Sequence, residues 1–144
     1  MNDGWMASTS FRLSWSECDP AGIVYYAAYL PWMERLHSGW WFDRGLRFDR
    51  MAERLGASVV TRQVTCDYLG PARVLDPIGV SMSLRSVGRR SFNLSFDIRN
   101  EDDGARVAAA GLVMVFVDPD GRPAAVPAPA RAILDEVGAT EQDG

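Results

Sequence analysis

Cys18-Asp19-Pro20-Ala21-Gly22-Ile23-Val24-Tyr25-Tyr26 runs directly into Ala27-Ala28-Tyr29-Leu30-Pro31-Trp32-Met33-Glu34-Arg35. An acid sits on a turn that holds both Pro and Gly, and an aromatic-rich helix follows it. Pro31 fixes where that helix begins. Only the first four N–H groups of a helix lack an intrahelical partner, so Pro is tolerated there and costly further in. The start therefore falls near residues 27–28, just after Tyr26. Met33, Leu36 and Trp40 recur at helical spacing, with Tyr29 one turn earlier, and predict a helix from Ala28 to Arg44 that stops at Gly45. Such a turn aims one carboxylate and the free N–H groups of a helix start at a single point. That point suits a carbonyl that is attacked and then carries negative charge.

Upstream, Phe11, Leu13 and Trp15 alternate with polar neighbours and predict a half-buried strand over Ser10–Glu17. Downstream, Asp49–Leu55 adds a helical turn or two before Gly56. The Val- and Thr-rich run Ser58–Leu69 reads as a strand. Ile78, Val80, Met82 and Leu84 alternate with small or polar residues, as do Phe92, Leu94, Phe96 and Ile98. Arg106–Val117 is apolar on both faces and predicts a central strand. Asn100–Gly104 and Asp118–Gly121 are turns, built on Asx hydrogen bonding and on Gly at φ > 0. Ala130–Val137 forms a short closing helix, and residues 1–9 and 139–144 are expected to be flexible. The order is strand, long helix, then antiparallel strands. It implies one α+β domain over 1–144, with about five antiparallel strands burying one face on a single long helix. The other face needs cover, which a homo-oligomer supplies.

Composition narrows the chemistry. Of 144 residues, 47% are hydrophobic and 24% charged, the profile of one globular domain. A net charge of -4 argues against nucleic acid as a partner. All 15 basic residues are Arg, so a Schiff-base mechanism, which needs a Lys amine, is excluded. No apolar run approaches the ~18 residues of a membrane span. Met1–Ser10 lacks the basic and apolar stretches of a secretory signal. Two distant cysteines, Cys18 and Cys66, and one histidine, His37, are too few for a structural zinc site. Free thiols fit a reducing cytoplasm. No Gly-x-Ser-x-Gly is present, which disfavours a serine hydrolase.

The run Asp19–Tyr26, continued through Tyr29, Trp32 and Glu34, resembles the hotdog-fold thioesterases, in particular the 4-hydroxybenzoyl-CoA thioesterase-like group. The likeness extends more loosely over the strand order, over Gly88-Arg89-Arg90-Ser91-Phe92 and over the Val126-Pro127 exit. It implies a hotdog fold: a sheet wrapped around one helix, assembled as dimers and often tetramers, with active sites at the dimer interface. It implies hydrolysis of an acyl-CoA thioester, with coenzyme A as part of the substrate and no separate cofactor or metal. Asp19 matches the catalytic carboxylate, which attacks the thioester carbonyl or activates water. The Tyr26 backbone N–H matches the oxyanion donor. Glu34 matches an acid near the acyl pocket, and Arg89, Arg90 and Ser91 match a segment close to the CoA nucleotide. Gly22, Tyr25, Tyr29 and Trp32 complete the implied substrate-binding set. Many members outside the aryl-CoA branch carry His where this chain has Tyr26, so the Tyr25–Tyr26 pair favours an aryl substrate.

Each residue also has a plainer reading. An Asp-Pro pair is often only a turn acid. Glu34 can be a solvated helix residue beside Arg35 or His37. Arg89 and Arg90 can be a charged hairpin that blocks strand aggregation. His37 reads as a surface or core-edge histidine, and Cys18 as a small packing residue. Two other functions share the pattern: release of acyl chains from a carrier protein in polyketide synthesis, and non-catalytic acyl-CoA binding. A dehydratase is disfavoured because His37 lies in the helix body.

Overall fold

A computed structural model describes residues 4–138; the expected flexibility of 139–144 lies outside the described residues, as does that of 1–3. The strands are β1 (Ala7–Arg12), β2 (Ser58–Tyr68), β3 (Pro77–Val87), β4 (Ser91–Asn100) and β5 (Arg106–Val117). The helices are α1 (Tyr29–Asp43), α2 (Met51–Leu55) and α3 (Ala128–Val137). The sheet is antiparallel in the order β1-β3-β4-β5-β2. This is the hotdog arrangement, five antiparallel strands against one long helix, with two short helices beside it.

Period-two alternation decides which face is core. Ile78, Val80, Met82 and Leu84 of β3 and Phe92, Leu94, Phe96 and Ile98 of β4 are all buried. In β5, Ala108, Ala110, Leu112, Met114 and Phe116 point the same way. β5 is an interior strand, as its two-sided apolarity predicts, and its outer face is half-buried. Above these rows α1 buries Tyr29, Met33, Trp40 and Trp41. Trp41 meets Phe92 edge-on at 5.8 Å, and Phe92 meets Phe116 at 6.0 Å. Pro31 is the third residue of α1, where its missing N–H costs nothing.

The first strand differs from the sequence expectation. β1 begins at Ala7, inside the stretch expected to be flexible, and ends at Arg12. Trp15–Glu17 is a single 3-10 turn, and Trp15 is 83% exposed. The cause is local. Ser14 and Glu17 form a capping box, Ser14 Oγ accepting from the turn and Glu17 Oε1 accepting from the Ser14 N–H at 2.9 Å. That nucleates a turn where alternation alone predicts more strand.

β2 carries a bulge. Its register against β5 shifts between Thr61 and Gln63, leaving Arg62 extra. The extra residue resets the alternation, so Val59 and Thr61 before it share the helix-side face with Val64, Cys66 and Tyr68 after it. α1 lies over β1 and β3 rather than over β2. Val64 and Tyr68 are consequently 42% and 52% exposed although they face the core side.

Phe92 links His37, Trp41 and Phe116. Phe92→Ala should therefore lower unfolding free energy by about 3–5 kcal/mol, the usual cost of an emptied aromatic site, read as a shift of the urea midpoint.

Candidate functional site

The turn after the 3-10 segment is closed by its own hydrogen bonds. Asp19 N–H donates to Ile23 O at 2.9 Å and Gly22 N–H to Asp19 O at 2.8 Å. Asp19 Oδ1 accepts from the Ala21 N–H at 2.8 Å, an Asx turn. Gly22 sits at φ +83°, a conformation L side chains rarely adopt. Oδ2 has no hydrogen-bond partner among the described residues, so one carboxylate oxygen is spent on the turn and the other is available. The plainer reading of Asp19 is therefore true of half its carboxylate.

Ten residues after Asp19, the chain enters α1 at Tyr29. Tyr25 N–H donates to Glu17 O at 2.7 Å and Ala28 N–H to Tyr25 O at 2.9 Å. Between them, the N–H groups of Tyr26 and Ala27 have no backbone partner among the described residues. The Tyr26 carbonyl is held from the sheet: Tyr68 Oη donates to Tyr26 O at 2.9 Å, and the Tyr68 ring packs edge-on against Tyr29 at 5.3 Å. Sequence reasoning missed Tyr68. Its orientation depends on the bulge at Arg62, which nothing in the alternation announces.

Trp32 supports the turn from the other flank of α1. It packs on Phe11 and Tyr29, and its Nε1 donates to Glu17 Oε2 at 2.8 Å. It thus steadies the segment that leads into Asp19, and it lines a different cavity from the one Glu34 lines. Tyr29 is buried, and burial pushes its phenol up to about 12, so it stays protonated. The Cys18 thiol is also raised, first by burial and then by the Asp19, Glu17 and Asp76 carboxylates, which fits a packing residue rather than a thiolate.

A cavity of about 270 Å³ opens between α1 and the uncovered side of the sheet. Leu30, Met33, Glu34 and His37 line it from α1, and Val64 and Met114 from β2 and β5. Residues 30 and 37 are seven apart, so the cavity follows α1 for about 10 Å from its first turn. His37, expected at a surface or core edge, is 2% exposed. Burial lowers its pKa to about 4, so the ring is neutral at physiological pH.

Arg89 and Arg90 are exposed on the β3–β4 hairpin, closed by the Gly88 N–H to Ser91 O bond at 2.7 Å. Asp19 lies at the opposite end of the sheet: Val24 N–H donates to Ala72 O and Ile23 bridges Arg73, just before β3 begins. The 11 residues of β3 at about 3.3 Å each separate the two ends by about 35 Å. One chain therefore joins Asp19, Gly22, Tyr25, Tyr26 and Tyr29 in the turn and the first residues of α1, sets Glu34 on the cavity further along α1, and leaves Arg89, Arg90 and Ser91 remote from the turn. Among the described residues no group of three or more His, Cys, Asp or Glu is placed to hold a metal ion, and no helix is long and apolar enough to cross a membrane.

Fold and turn together define a hotdog protein, and comparison with known proteins agrees. The sequence profile of the thioesterase-like superfamily matches residues 13–136, and the chain belongs to that family. It is 29% identical over 111 residues to the acyl-CoA thioester hydrolase YbgC of Escherichia coli O6:H1, covering 75% of this chain and 79% of YbgC. Among solved structures, Slr0204, a 1,4-dihydroxy-2-naphthoyl-CoA thioesterase from Synechocystis, superimposes with a TM-score of 0.81 at 17% identity over 90% of this chain and 95% of its own. SAV2348 from Staphylococcus aureus, solved in complex with CoA, gives 0.83 at 14% identity over 95% and 87%.

The neutral buried His37 has a measurable consequence. Its folded pKa of about 4 lies below the ordinary histidine value of 6.5, so between these values the unfolded chain binds a proton that the native chain refuses. The associated stability is present above pH ~6.5 and lost as pH falls toward 4, to the extent of about 3 kcal/mol. Urea unfolding at pH 7 and pH 4 should show this acid sensitivity in the wild type and lose most of it in His37→Leu.

Proposed function

We propose that this protein hydrolyses acyl-CoA thioesters, with an aromatic acyl group as substrate. The observation that carries the reading is that the turn leaves one Asp19 carboxylate oxygen free, while the N–H groups of Tyr26 and Ala27 just before α1 have no backbone partner among the described residues. The thioester carbonyl sits between them. Asp19 either attacks the carbonyl carbon, forming a mixed anhydride that water then opens, or takes a proton from the attacking water. In both cases the carbonyl oxygen becomes an oxyanion that accepts from the Tyr26 N–H, and the C–S electron pair leaves with the CoA sulfur. One such donor is worth about 3 kcal/mol of the barrier. The likeness to YbgC supports the CoA thioester. The Tyr25–Tyr26 pair, the apolar cavity and the substrate named for Slr0204 support an aryl group. The free cysteines suit a reducing cytoplasm.

The site is completed by a second copy. Tyr25, Tyr26, Leu30, Val64 and Tyr68 form an exposed apolar patch along the uncovered side of β2, a free edge strand. Two copies joined antiparallel at β2 bring the Arg89–Arg90 hairpin of one to the Asp19 end of the other. Arginine forks there suit the phosphates of CoA. The assembly is a dimer, or a tetramer built from dimers.

Asp19→Asn should fold normally and release thiol at least ~100-fold more slowly from aryl-CoAs, the scale of a lost general base. Turnover near wild type in that variant sinks the assignment. Release only from acyl groups on a carrier protein would transfer the reading to that substrate. For the shared site, Asp19→Asn chains mixed and reassembled with chains carrying Arg89→Ala and Arg90→Ala should regain activity above either parent, because one site per mixed dimer is intact. No gain on reassembly places CoA elsewhere.

A further inference from the structure

Tyr68, the last residue of β2, reaches across to the mouth of α1. Its Oη donates to Tyr26 O at 2.9 Å. A carbonyl only accepts, so the phenol proton lies on this bond. The ring is held from the side, edge-on against the buried Tyr29 with centroids 5.3 Å apart. Partial burial first, and then the neighbouring Cys66, push the Tyr68 phenol above its ordinary value, so it remains a protonated donor at neutral pH.

That bond fixes a whole peptide. The Tyr26 carbonyl and the Ala27 N–H belong to one planar trans unit, in which the two groups point in opposite directions. Holding the oxygen toward Tyr68 therefore turns the Ala27 N–H away from Tyr68. Ala28 N–H donates to Tyr25 O at 2.9 Å, which makes Tyr26 and Ala27 the central pair of a turn that winds into α1. The N–H groups of a central pair take no part in the bond that closes the turn, and these two have no partner among the described residues. The second of them belongs to the peptide that Tyr68 clamps. A carbonyl that accepts a hydrogen bond also polarises its peptide, so the N–H at the other end becomes a stronger donor.

We infer that Tyr68 is a positioning residue for the thioester reaction: by holding the Tyr26 carbonyl it aims and polarises the Ala27 N–H as a second oxyanion donor beside the Tyr26 N–H. This rests on the acyl-CoA thioesterase reading and adds to that site a donor and the side chain that supports it. Tyr68 touches no reacting atom. A hydroxyl that merely capped the Tyr26 carbonyl would make the same bond, but its loss would leave turnover unchanged. Donors fixed in advance act on the charge that develops in the transition state, so loss of the clamp lowers kcat and leaves KM nearly as it was.

Tyr68→Phe removes the hydroxyl and keeps the ring on Tyr29. With benzoyl-CoA its kcat should fall ~10-fold or more, the scale of a misaimed group, at nearly unchanged KM. A kcat equal to wild type overturns the inference. Tyr68→3,5-difluorotyrosine keeps the ring and brings the phenol's ionisation closer to neutral pH. Its kcat should drop as pH rises through that ionisation, where the wild type holds its rate, because a phenolate cannot donate; a level profile counts against the inference. Tyr25-Tyr26 and Tyr26-Ala27 are the chain's only Tyr–Tyr and Tyr–Ala pairs. Labelling tyrosine with carbonyl carbon-13 and nitrogen-15, and alanine with nitrogen-15, therefore isolates these two amides by NMR. In Asp19→Asn, saturating benzoyl-CoA should move both amide signals, and adding Tyr68→Phe should abolish the Ala27 movement alone. Movement of Tyr26 without Ala27, or of neither, overturns the second donor; with thiol released by the wild type, the thioesterase reading still stands. No thiol release from the wild type, with both amides moving, overturns the thioesterase reading and leaves the clamped donor pair standing.

Discussion

One helix has to cover a sheet wider than itself. Five strands at about 4.8 Å spacing span about 20 Å between the outermost strands, and a helix with its side chains is about 10–12 Å across. α1 lies over β1 and β3, and its large residues fill that side with Tyr29, Trp32, Trp41 and the rows beneath them. On the β2 side there is not enough helix to reach. What is left is an exposed apolar face at Val64 and Tyr68 and a cavity beside Met33, Glu34 and His37. The surface to which we assign the substrate is thus the part of the sheet that the single helix fails to bury.

The acid turn is placed by the same packing. Trp32 holds Glu17, Glu17 O receives Tyr25 N–H, and Tyr68 holds the Tyr26 carbonyl. The peptides at the mouth of α1 are fixed from both flanks, by the 3-10 segment on one side and the last residue of β2 on the other. A site that stabilises an oxyanion needs donors that do not reorganise as charge develops. Here the rigidity comes from ordinary hydrogen bonds of the fold. Asp19 gains its position in the same way, by spending Oδ1 on its own turn and leaving Oδ2 free.

Several local features were legible without coordinates. Pro31 confines the helix start because a residue without N–H fits only the first turn, and α1 begins at Tyr29. Strict alternation identifies β3 and β4 and their buried faces because side-chain direction in a strand has period two. The same rule misplaces the first strand. The Ser14–Glu17 capping box is a competing local signal, and reciprocal hydrogen bonds win over an alternation only three residues deep.

Periodicity, proline, glycine and short-range hydrogen bonding make the class of fold and the turn that carries Asp19 readable along the chain, and the resemblance of Asp19–Tyr26 points to the family. Which residues meet is settled by folding in three dimensions. The bulge at Arg62 turns Tyr68 toward the helix start, the fold sends Trp32 to the opposite flank from Glu34, and the path of α1 buries His37 against Trp41 and Phe92. The length of β3 sets Arg89 and Arg90 apart from Asp19. Those outcomes follow from contacts between residues distant in the chain, and a pattern of neighbours along the sequence holds no record of them.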